Sequence, residues 1–196
     1  MPRSDHLRAG LSIVLNPSLA SRANASKAPV RMQPTPRQKG VNTLSIRPAK
    51  PEDIAYIAAR MRLADVEEIV SASEMTPAQA LTLGFNASLR PLVADNQEGK
   101  PVCMFGVAPM PEPLVGSVWL LGTDAVKDNR MSFLRLSKTM TTEFHRDFPV
   151  LMNCVDERNA VHIGWLRWLG YSFLRRHAQW GKERRPFLEF ARLQHV

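Results

Sequence analysis

The chain of 196 residues is 44% hydrophobic, which is enough to bury a core without cross-links and suits one domain with an appendage. Its apolar runs fall well short of the roughly 20 residues that a membrane-spanning helix needs, so the sequence predicts a soluble protein. Cys103 and Cys154 each lie within an apolar run, where a thiol behaves as a small buried hydrophobe. We therefore expect no disulfide and no metal site.

The formal net charge of +8 is concentrated in residues 1–42. This segment mixes Pro, Ser, Ala, Asn, Arg and Lys with almost no aromatic residue. It cannot bury enough apolar area to offset its ordering entropy, so we predict an extended arm. Its candidate partner-binding residues, a basic set and one apolar patch, are Arg3, Arg8, Leu11, Ile13, Leu15, Arg22, Lys27, Arg31, Arg37 and Lys39.

Several roles are open to this arm. Its basic residues suit attraction to nucleic acid or to an acidic protein, and its apolar patch suits strand addition to a partner. A solvated tail without a partner is the simpler interpretation. An Arg- and Ser-rich, acid-poor start is also typical of an organellar transit peptide, although Pro2, Asp5 and the lack of a long amphipathic helix argue against it.

The folded part begins with an alternating strand at residues 43–48. A helix opens at Pro51, because proline fits the first helical position and two acidic residues follow it. A second helical stretch covers residues 65–72, and Thr76 caps a third that starts at Pro77. Together these stretches predict one irregular helical layer.

Three strand candidates follow at residues 89–95, 101–107 and 114–122, separated by turn signals, and they predict an antiparallel meander. Residues 131–148 have apolar positions at helical spacing amid basic and hydroxyl side chains, which predicts a helix exposed on one side. Proline at position 149 ends that helix.

An almost wholly apolar stretch at residues 149–155 is typical of a strand that is buried on both faces at the centre of a sheet. A helix is predicted for residues 160–169, closed by Gly170, and two further strands for residues 171–175 and 187–193. The predicted order is β-α-α-β-β-β-α-β-α-β-β.

This order resembles that of the GNAT acetyltransferase fold. The segment from Ile46 to Asp53 resembles the "I-R-x-A-x-x-x-D" start of many acetyltransferases, and Asn159 with Leu169-Gly170-Tyr171 resembles their "N-x-x-A … L-G-F" close. The resemblance implies an α/β domain over residues 43–196, with a GNAT-like mixed central sheet flanked by helices.

A second set of residues carries a closer resemblance: Ile46, Arg47, Pro48, Trp119, Thr123, Asp124, Val126, Asn159, His162, Ile163, Leu166 and Gly170. On these residues the domain resembles the internal virion protein A family of T7-like podoviruses, itself GNAT-like in sequence. This resemblance implies a phage virion or virion-assembly protein, oligomeric in an assembly with other virion proteins such as portal or tail components. It also implies location in the virion, and in the host cytoplasm during assembly.

GNAT enzymes hold the diphosphate of acetyl-CoA on backbone N–H groups of a glycine-rich turn after the fourth strand. The corresponding turn, residues 122–131, has no glycine after Gly122. Asp124 and Asp128 place negative charge where the diphosphate would lie. We therefore predict no cofactor site, and at most a vestige of the loop at Lys127, Asn129 and Arg130.

The usual general acid of the family, a tyrosine four residues before the closing glycine, is replaced by Leu166, which carries no proton. His162 is either a proton shuttle or a helix residue bonded to a nearby carbonyl or carboxylate, and the second is favoured because no nucleophile or metal partner is evident. Helical spacing predicts packing roles for Trp165 and Trp168, with Trp168 a candidate partner anchor.

We therefore predict no catalytic residue and a non-catalytic virion or assembly protein that docks through its arm. The alternative is an acetyl-CoA-dependent N-acetyltransferase of phage origin. A third interpretation makes the basic arm a nucleic-acid tether, with strongly salt-dependent binding.

Overall fold

The structure is a computed structural model that describes residues 43–194. The predicted arm, with its ten candidate partner-binding residues, lies outside the described residues. The elements in chain order are β1 (Ser45–Pro48), α1 (Pro51–Ala58), α2 (Leu63–Ala72), α3 (Pro77–Ala87), β2 (Leu92–Asp95), β3 (Pro101–Pro109), β4 (Val115–Gly122), α4 (Ala125–Asp128), α5 (Arg130–Phe144), β5 (Val150–Asp156), α6 (Ala160–Trp168), β6 (Ser172–Trp180) and β7 (Arg185–Leu193).

Within these residues the strands form one seven-stranded sheet in the order β1-β2-β3-β4-β5-β7-β6. Neighbouring strands are antiparallel except for β4 and β5, which are parallel and are joined through α4 and α5. The predicted mixed sheet with flanking helices is confirmed. β5 lies between β4 and β7, and five of its seven residues are buried, as its apolar sequence predicts.

Helices cover both faces of the sheet, so the core has two main parts. One part joins α1, α2 and α3 to the sheet through buried residues that include Ile57, Ile69 and Leu81. The other joins α5 and α6 to the opposite face through residues that include Phe133 and Leu166. Any contact between α2 and α6 must therefore pass through the sheet.

The predicted helix signals work as expected. Thr76 accepts a hydrogen bond from the Gln79 backbone N–H at 3.3 Å, and the Gln79 side chain accepts one from the Thr76 N–H at 2.8 Å. This capping box satisfies two N–H groups that the first turn of a helix leaves unpaired. Gly170 follows α6 with φ 84°, the left-handed conformation that commonly ends a helix.

The three helical stretches predicted between β1 and β2 are present as α1, α2 and α3, although the predicted order counts only two helices there. The structure adds α4, a helical turn that the prediction lacks. β6 extends to Trp180 rather than ending at 175, because an edge strand tolerates charged side chains such as Arg175 and Arg176 that break the alternating pattern. No helix among the described residues is both long and apolar enough to span a membrane.

Candidate functional site

The candidate site lies where the sheet splits. β4 and β5 pair only over residues 115–117 and 150–152. Beyond these pairs β4 continues beside β3 to Gly122, and β5 continues beside β7 to Asp156. The carboxyl-terminal parts of two adjacent strands thus leave a gap in the middle of the sheet, with edges that no longer pair with each other.

The narrow end of this gap is bridged by Asn153. Its Nδ2 donates to the Val118 carbonyl oxygen at 2.6 Å, and its Oδ1 accepts from the Cys154 backbone N–H at 2.8 Å. One side-chain amide therefore satisfies a backbone acceptor of β4 and a backbone donor of β5, groups that are costly to leave unpaired when buried.

The wide end is held by two carboxylates of α2. The Gly122 N–H donates to Asp65 at 2.9 Å, and the Asp156 N–H donates to Glu68 at 3.3 Å. Both acidic residues are 1% exposed. Burial raises the pKa of Asp65, against the opposing effects of Arg62 and of the hydrogen bond from Gly122. Residues three apart on one helix thus fix the ends of both diverging strands.

A cavity of about 70 Å³ lies beside the gap, on the face covered by α5 and α6. Its wall is mostly apolar and includes Phe133 of α5, Asn153 of β5, and His162, Trp165 and Leu166 of α6. A cavity of this kind needs only about 10–15 Å³ to admit one water molecule, so it has room for a small group or the end of a slender chain.

Two residues of the cavity wall each carry a polar side-chain atom that has no hydrogen-bond partner within residues 43–194. These atoms are Nδ1 of His162 and Nε1 of Trp165, and both are buried. Their rings lie 5.2 Å apart between centroids. Because an unsatisfied buried polar atom costs about 1–3 kcal/mol, such atoms indicate where a ligand or an ordered water completes the structure.

His162 faces a carboxylate from the other side of the sheet. Its Nδ1 is 3.9 Å from Oε2 of Glu68, and the same oxygen accepts a hydrogen bond from Nδ2 of Asn159 at 3.3 Å. The favoured interpretation from sequence, a hydrogen bond from the ring to a nearby carbonyl or carboxylate, is not formed by Nδ1 among the described residues. His162 and Glu68 meet through the gap because α6 and α2 cover opposite faces of the sheet.

Besides His162, the cavity wall carries Leu166, which has no proton to transfer, and three groups that burial keeps in their neutral forms. Leu166, at the position of the usual tyrosine, is 2% exposed and faces the cavity. Burial raises the pKa of Tyr171 to about 12, although a hydrogen bond with Thr141 partly opposes this. Burial also raises the pKa of Cys103 and of Cys154 to about 12, and neither cysteine is in a disulfide within residues 43–194.

The turn after β4 is closed by α4. The N–H groups of Val126, Lys127 and Asn129 donate to carbonyl oxygens of residues 123, 124 and 125, at 3.0–3.2 Å. Three backbone donors of this turn are therefore used within the chain and are not available to a diphosphate. Lys127 is paired with Asp124 at 2.6 Å, which also reduces the positive charge available there.

The structure places the remaining predicted site residues apart from the cavity wall. Lys127 and Arg130 are exposed, whereas Asn129 is buried and its side chain donates to the Ala125 carbonyl oxygen at 2.8 Å. Trp168 is 53% exposed, and its partner-binding role stays a prediction. Residues 43–194 contain no cluster of three or more His, Cys, Asp or Glu side chains that could hold a metal ion.

The sequence prediction missed Asp65, Glu68 and Asn153. The available signal was weak: the two acidic residues share the face of α2 that carries Ile69, which places them toward the core. Acidic residues at such positions need a partner, and here the partners are backbone groups that become unpaired only because the sheet splits.

No protein-family profile matches the chain, and no curated protein matches it. Solved structures do. A GCN5-related N-acetyltransferase from Kribbella flavida superposes with a TM-score of 0.59 at 20% identity, over 78% of this chain and 98% of that chain. A ribosomal-protein-alanine N-acetyltransferase from Brucella melitensis gives a TM-score of 0.61 at 19% identity, over 77% and 100%.

A spermidine N-acetyltransferase from Vibrio cholerae, solved in complex with CoA and spermine, gives a TM-score of 0.60 at 10% identity, over 78% of this chain and 96% of that chain. Each similarity covers nearly the whole of the other chain, and each identity is too low to carry more than the fold. The described part of the chain has the GNAT acetyltransferase fold.

Proposed function

We propose that this protein is an N-acyltransferase that takes its acyl group from a coenzyme A-type thioester. The observation that carries the proposal is a pair of buried polar atoms, His162 Nδ1 and Trp165 Nε1, that have no partner among the described residues and belong to two residues lining a cavity at the split between β4 and β5. The thioester arm of coenzyme A, its pantetheine chain, is slender and carries two amide groups, whose carbonyl oxygens can accept a hydrogen bond from Trp165 Nε1. His162 Nδ1 lies nearer to Glu68 and is not assigned to the ligand.

The two ends of coenzyme A fit this chain unequally. The cavity suits the thioester end, but α4 occupies the turn that would hold the diphosphate, and Asp124 adds negative charge there. Each charge-assisted hydrogen bond that is not made weakens binding by roughly tenfold or more. We therefore expect weak binding of acetyl-CoA, with most of the affinity coming from the pantetheine chain that carries the thioester.

The acceptor in this proposal is an amine. Two of the solved structures with this fold are named for amine acceptors, a ribosomal-protein alanine and spermidine. An alanine N-terminus and a polyamine are accordingly the first acceptors to try. In the reaction, the thioester of the donor would supply the activated acyl carbon. The protein's own residues would orient the pantetheine chain and exclude water from the gap.

A second candidate function is a non-catalytic virion or virion-assembly protein. It is favoured by the helical turn α4 in the place of the diphosphate cradle and by Leu166 in the place of the usual tyrosine. Under this proposal the resemblance to the podovirus internal virion protein family extends to function. The arm would then bind other virion proteins, with Trp168 as an exposed anchor on the domain.

Calorimetry on the full chain, with acetyl-CoA and acetyl-pantetheine as separate ligands, distinguishes the two candidates. The acyltransferase predicts that both bind, with dissociation constants within about fivefold of each other, because the diphosphate contributes little. No heat from either ligand at millimolar concentration would remove the acyltransferase and leave the virion protein. Acetyl-CoA binding at least a hundredfold tighter than acetyl-pantetheine would mean that the turn after β4 holds the diphosphate after all.

A matched pair of variants locates the binding. Trp165→Phe keeps an aromatic ring in the cavity but removes the indole N–H and part of the ring system, so it should weaken both ligands by roughly tenfold. Trp168→Phe changes an exposed tryptophan on the same helix and should leave both affinities unchanged. Equal effects of the two substitutions would place the ligand outside the cavity.

A further inference from the structure

Among the described residues, His162 and Glu68 form the one close contact between a histidine and a carboxylate at the split of the sheet. Nδ1 of His162 lies 3.9 Å from Oε2 of Glu68 and has no hydrogen-bond partner in the part of the chain that the structure describes. Glu68 is fixed by the Asp156 N–H and by Asn159. A carboxylate held this firmly beside one ring nitrogen favours the tautomer that carries its proton on Nδ1.

His162 lies close to Leu166, the position at which GNAT enzymes usually carry a proton-donating tyrosine. His162 and Leu166 are four residues apart on α6, so their side chains leave the same face of the helix, with Cβ atoms about 5–6 Å apart. Both side chains line the cavity. The imidazole therefore lies one helical turn from the position at which GNAT enzymes carry their usual proton donor.

We propose that His162 carries the proton in the acyl transfer, accepting it from the attacking amine and returning it to the departing thiolate, and that Glu68 is the residue that positions the ring. This inference rests on the proposed acyltransferase function. It assigns the group that transfers the proton in this protein, which has Leu166 where GNAT enzymes usually have a tyrosine.

The proposed step balances with one histidine. The amine nitrogen forms a bond to the acyl carbon, and its excess proton moves to the unprotonated ring nitrogen, Nε2, leaving an imidazolium beside Glu68. The carbon–sulfur bond then breaks, and the thiolate takes the proton back from Nε2. An amide and a thiol are formed from an amine and a thioester, with no other reactant.

The neighbouring titratable groups do not compete for this role. From β5 and β3 the cavity is faced by Cys154 and Cys103, and from the segment after α6 by Tyr171, each with a pKa of about 12 because of burial. Such groups hold their protons too firmly to accept one from an amine near neutral pH. At the wide end of the gap, Asp156 is engaged by Arg158 at 2.5 Å.

The test uses the full chain and measures thiol release from acetyl-CoA, with an alanine-terminated peptide and with spermidine as acceptors. His162→Gln should lower kcat about a hundredfold or more, while the affinity for acetyl-CoA changes by less than threefold. The matched control is His177→Gln, because His177 also faces a glutamate, Glu189 at 2.8 Å, but lies on β6 away from the cavity. That control should keep the kcat of the unmodified chain.

Glu68 is tested in the free protein by nitrogen NMR of the His162 ring. The unmodified chain should show the Nδ1–H tautomer, and Glu68→Gln should shift the ring toward Nε2–H and lower kcat about tenfold. The Nε2–H tautomer in the unmodified chain would refute the positioning role of Glu68.

The remaining outcomes separate the two proposals. Thiol release that His162→Gln leaves within twofold would overturn the proton-carrying role and leave the acyltransferase standing. Absence of thiol release from the unmodified chain with either acceptor would overturn the acyltransferase and this inference together.

Discussion

Gly181 begins the turn between β6 and β7, which packs against the end of α2, the helix that carries Glu68. It has φ 62°, in the left-handed region. A Cβ atom at Gly181 would lie 2.6 Å from both the Ala72 Cα and the Ser71 carbonyl oxygen, which are backbone atoms of α2. The turn is tied to the same helix by the Glu183 N–H, which donates to the Ser71 carbonyl oxygen at 3.2 Å.

We predict that Gly181→Ala lowers the free energy of unfolding by about 2–5 kcal/mol, from two sources. The left-handed conformation costs an L-residue roughly 1–2 kcal/mol. The added methyl lies about 1 Å inside the normal contact distance of 3.5–4.0 Å, and because backbone atoms cannot rotate away, we expect the cost of overpacking, about 1–3 kcal/mol.

Equilibrium urea unfolding followed by tryptophan fluorescence measures this change, and Gly99→Ala is the control. Gly99 has φ 74° and no atom within 4 Å of the added Cβ, so its substitution should cost only the conformational part, about 1–2 kcal/mol. The difference between the variants isolates the contact with α2. Such comparisons are accurate to roughly 0.5 kcal/mol. If the two variants lose the same free energy of unfolding within that margin, the close packing of this turn on α2 is refuted.

Two further predictions concern the polar groups around the split. Asn153→Ala removes the amide that bridges β4 and β5, leaves one backbone carbonyl and one backbone N–H without it, and should lower the free energy of unfolding by about 2–4 kcal/mol in the same urea assay. Burial, the largest single effect, raises the pKa of Asp53 and of Asp156, but the hydrogen bonds and charge of their arginine partners, together with hydrogen bonds from backbone N–H groups, outweigh it and lower both below 3.8. Their stabilisation should therefore be complete above about pH 5 and be lost as the pH falls below 3.8 through the lowered values. Asp65 has a raised pKa, so its contribution changes in the opposite direction. Unfolding free energies measured between pH 2 and 6 should show a shallower acid loss for Asp156→Asn and a steeper one for Asp65→Asn; equal slopes in both variants would contradict the assignment.

The sequence predicts the strands and helices well where local signals act alone. The capping box at Thr76, the glycine at position 170 and the apolar run of β5 each specify a local structure through their own chemistry. The loss of the glycine-rich turn and of the tyrosine is also visible in the sequence, because both are defined by residue type at a fixed spacing.

The site itself is less visible in the sequence. In the sequence, Asp65 and Glu68 resemble ordinary acidic residues of an exposed helix. Their role depends on the split in the sheet, which leaves two backbone N–H groups to donate to them. α4 was missed because it consists of a single helical turn, with signals too short for any periodicity. The pairing of His162 with Glu68 depends on helices on opposite faces meeting through a gap, which no local pattern encodes.

The contacts of α2 also have a kinetic consequence. Its hydrogen bonds to β4, β5 and the β6–β7 turn join residues that are 57, 88 and 112 positions apart in the chain. Contacts of such separation require large loops to close before they contribute stability, so they are expected to form late in folding. We therefore expect α2 to dock after the carboxyl-terminal strands have paired, and its amide hydrogens to exchange with solvent before those of β3 or β7. The gap between β4 and β5 would be the last part of the domain to assemble and the first to open.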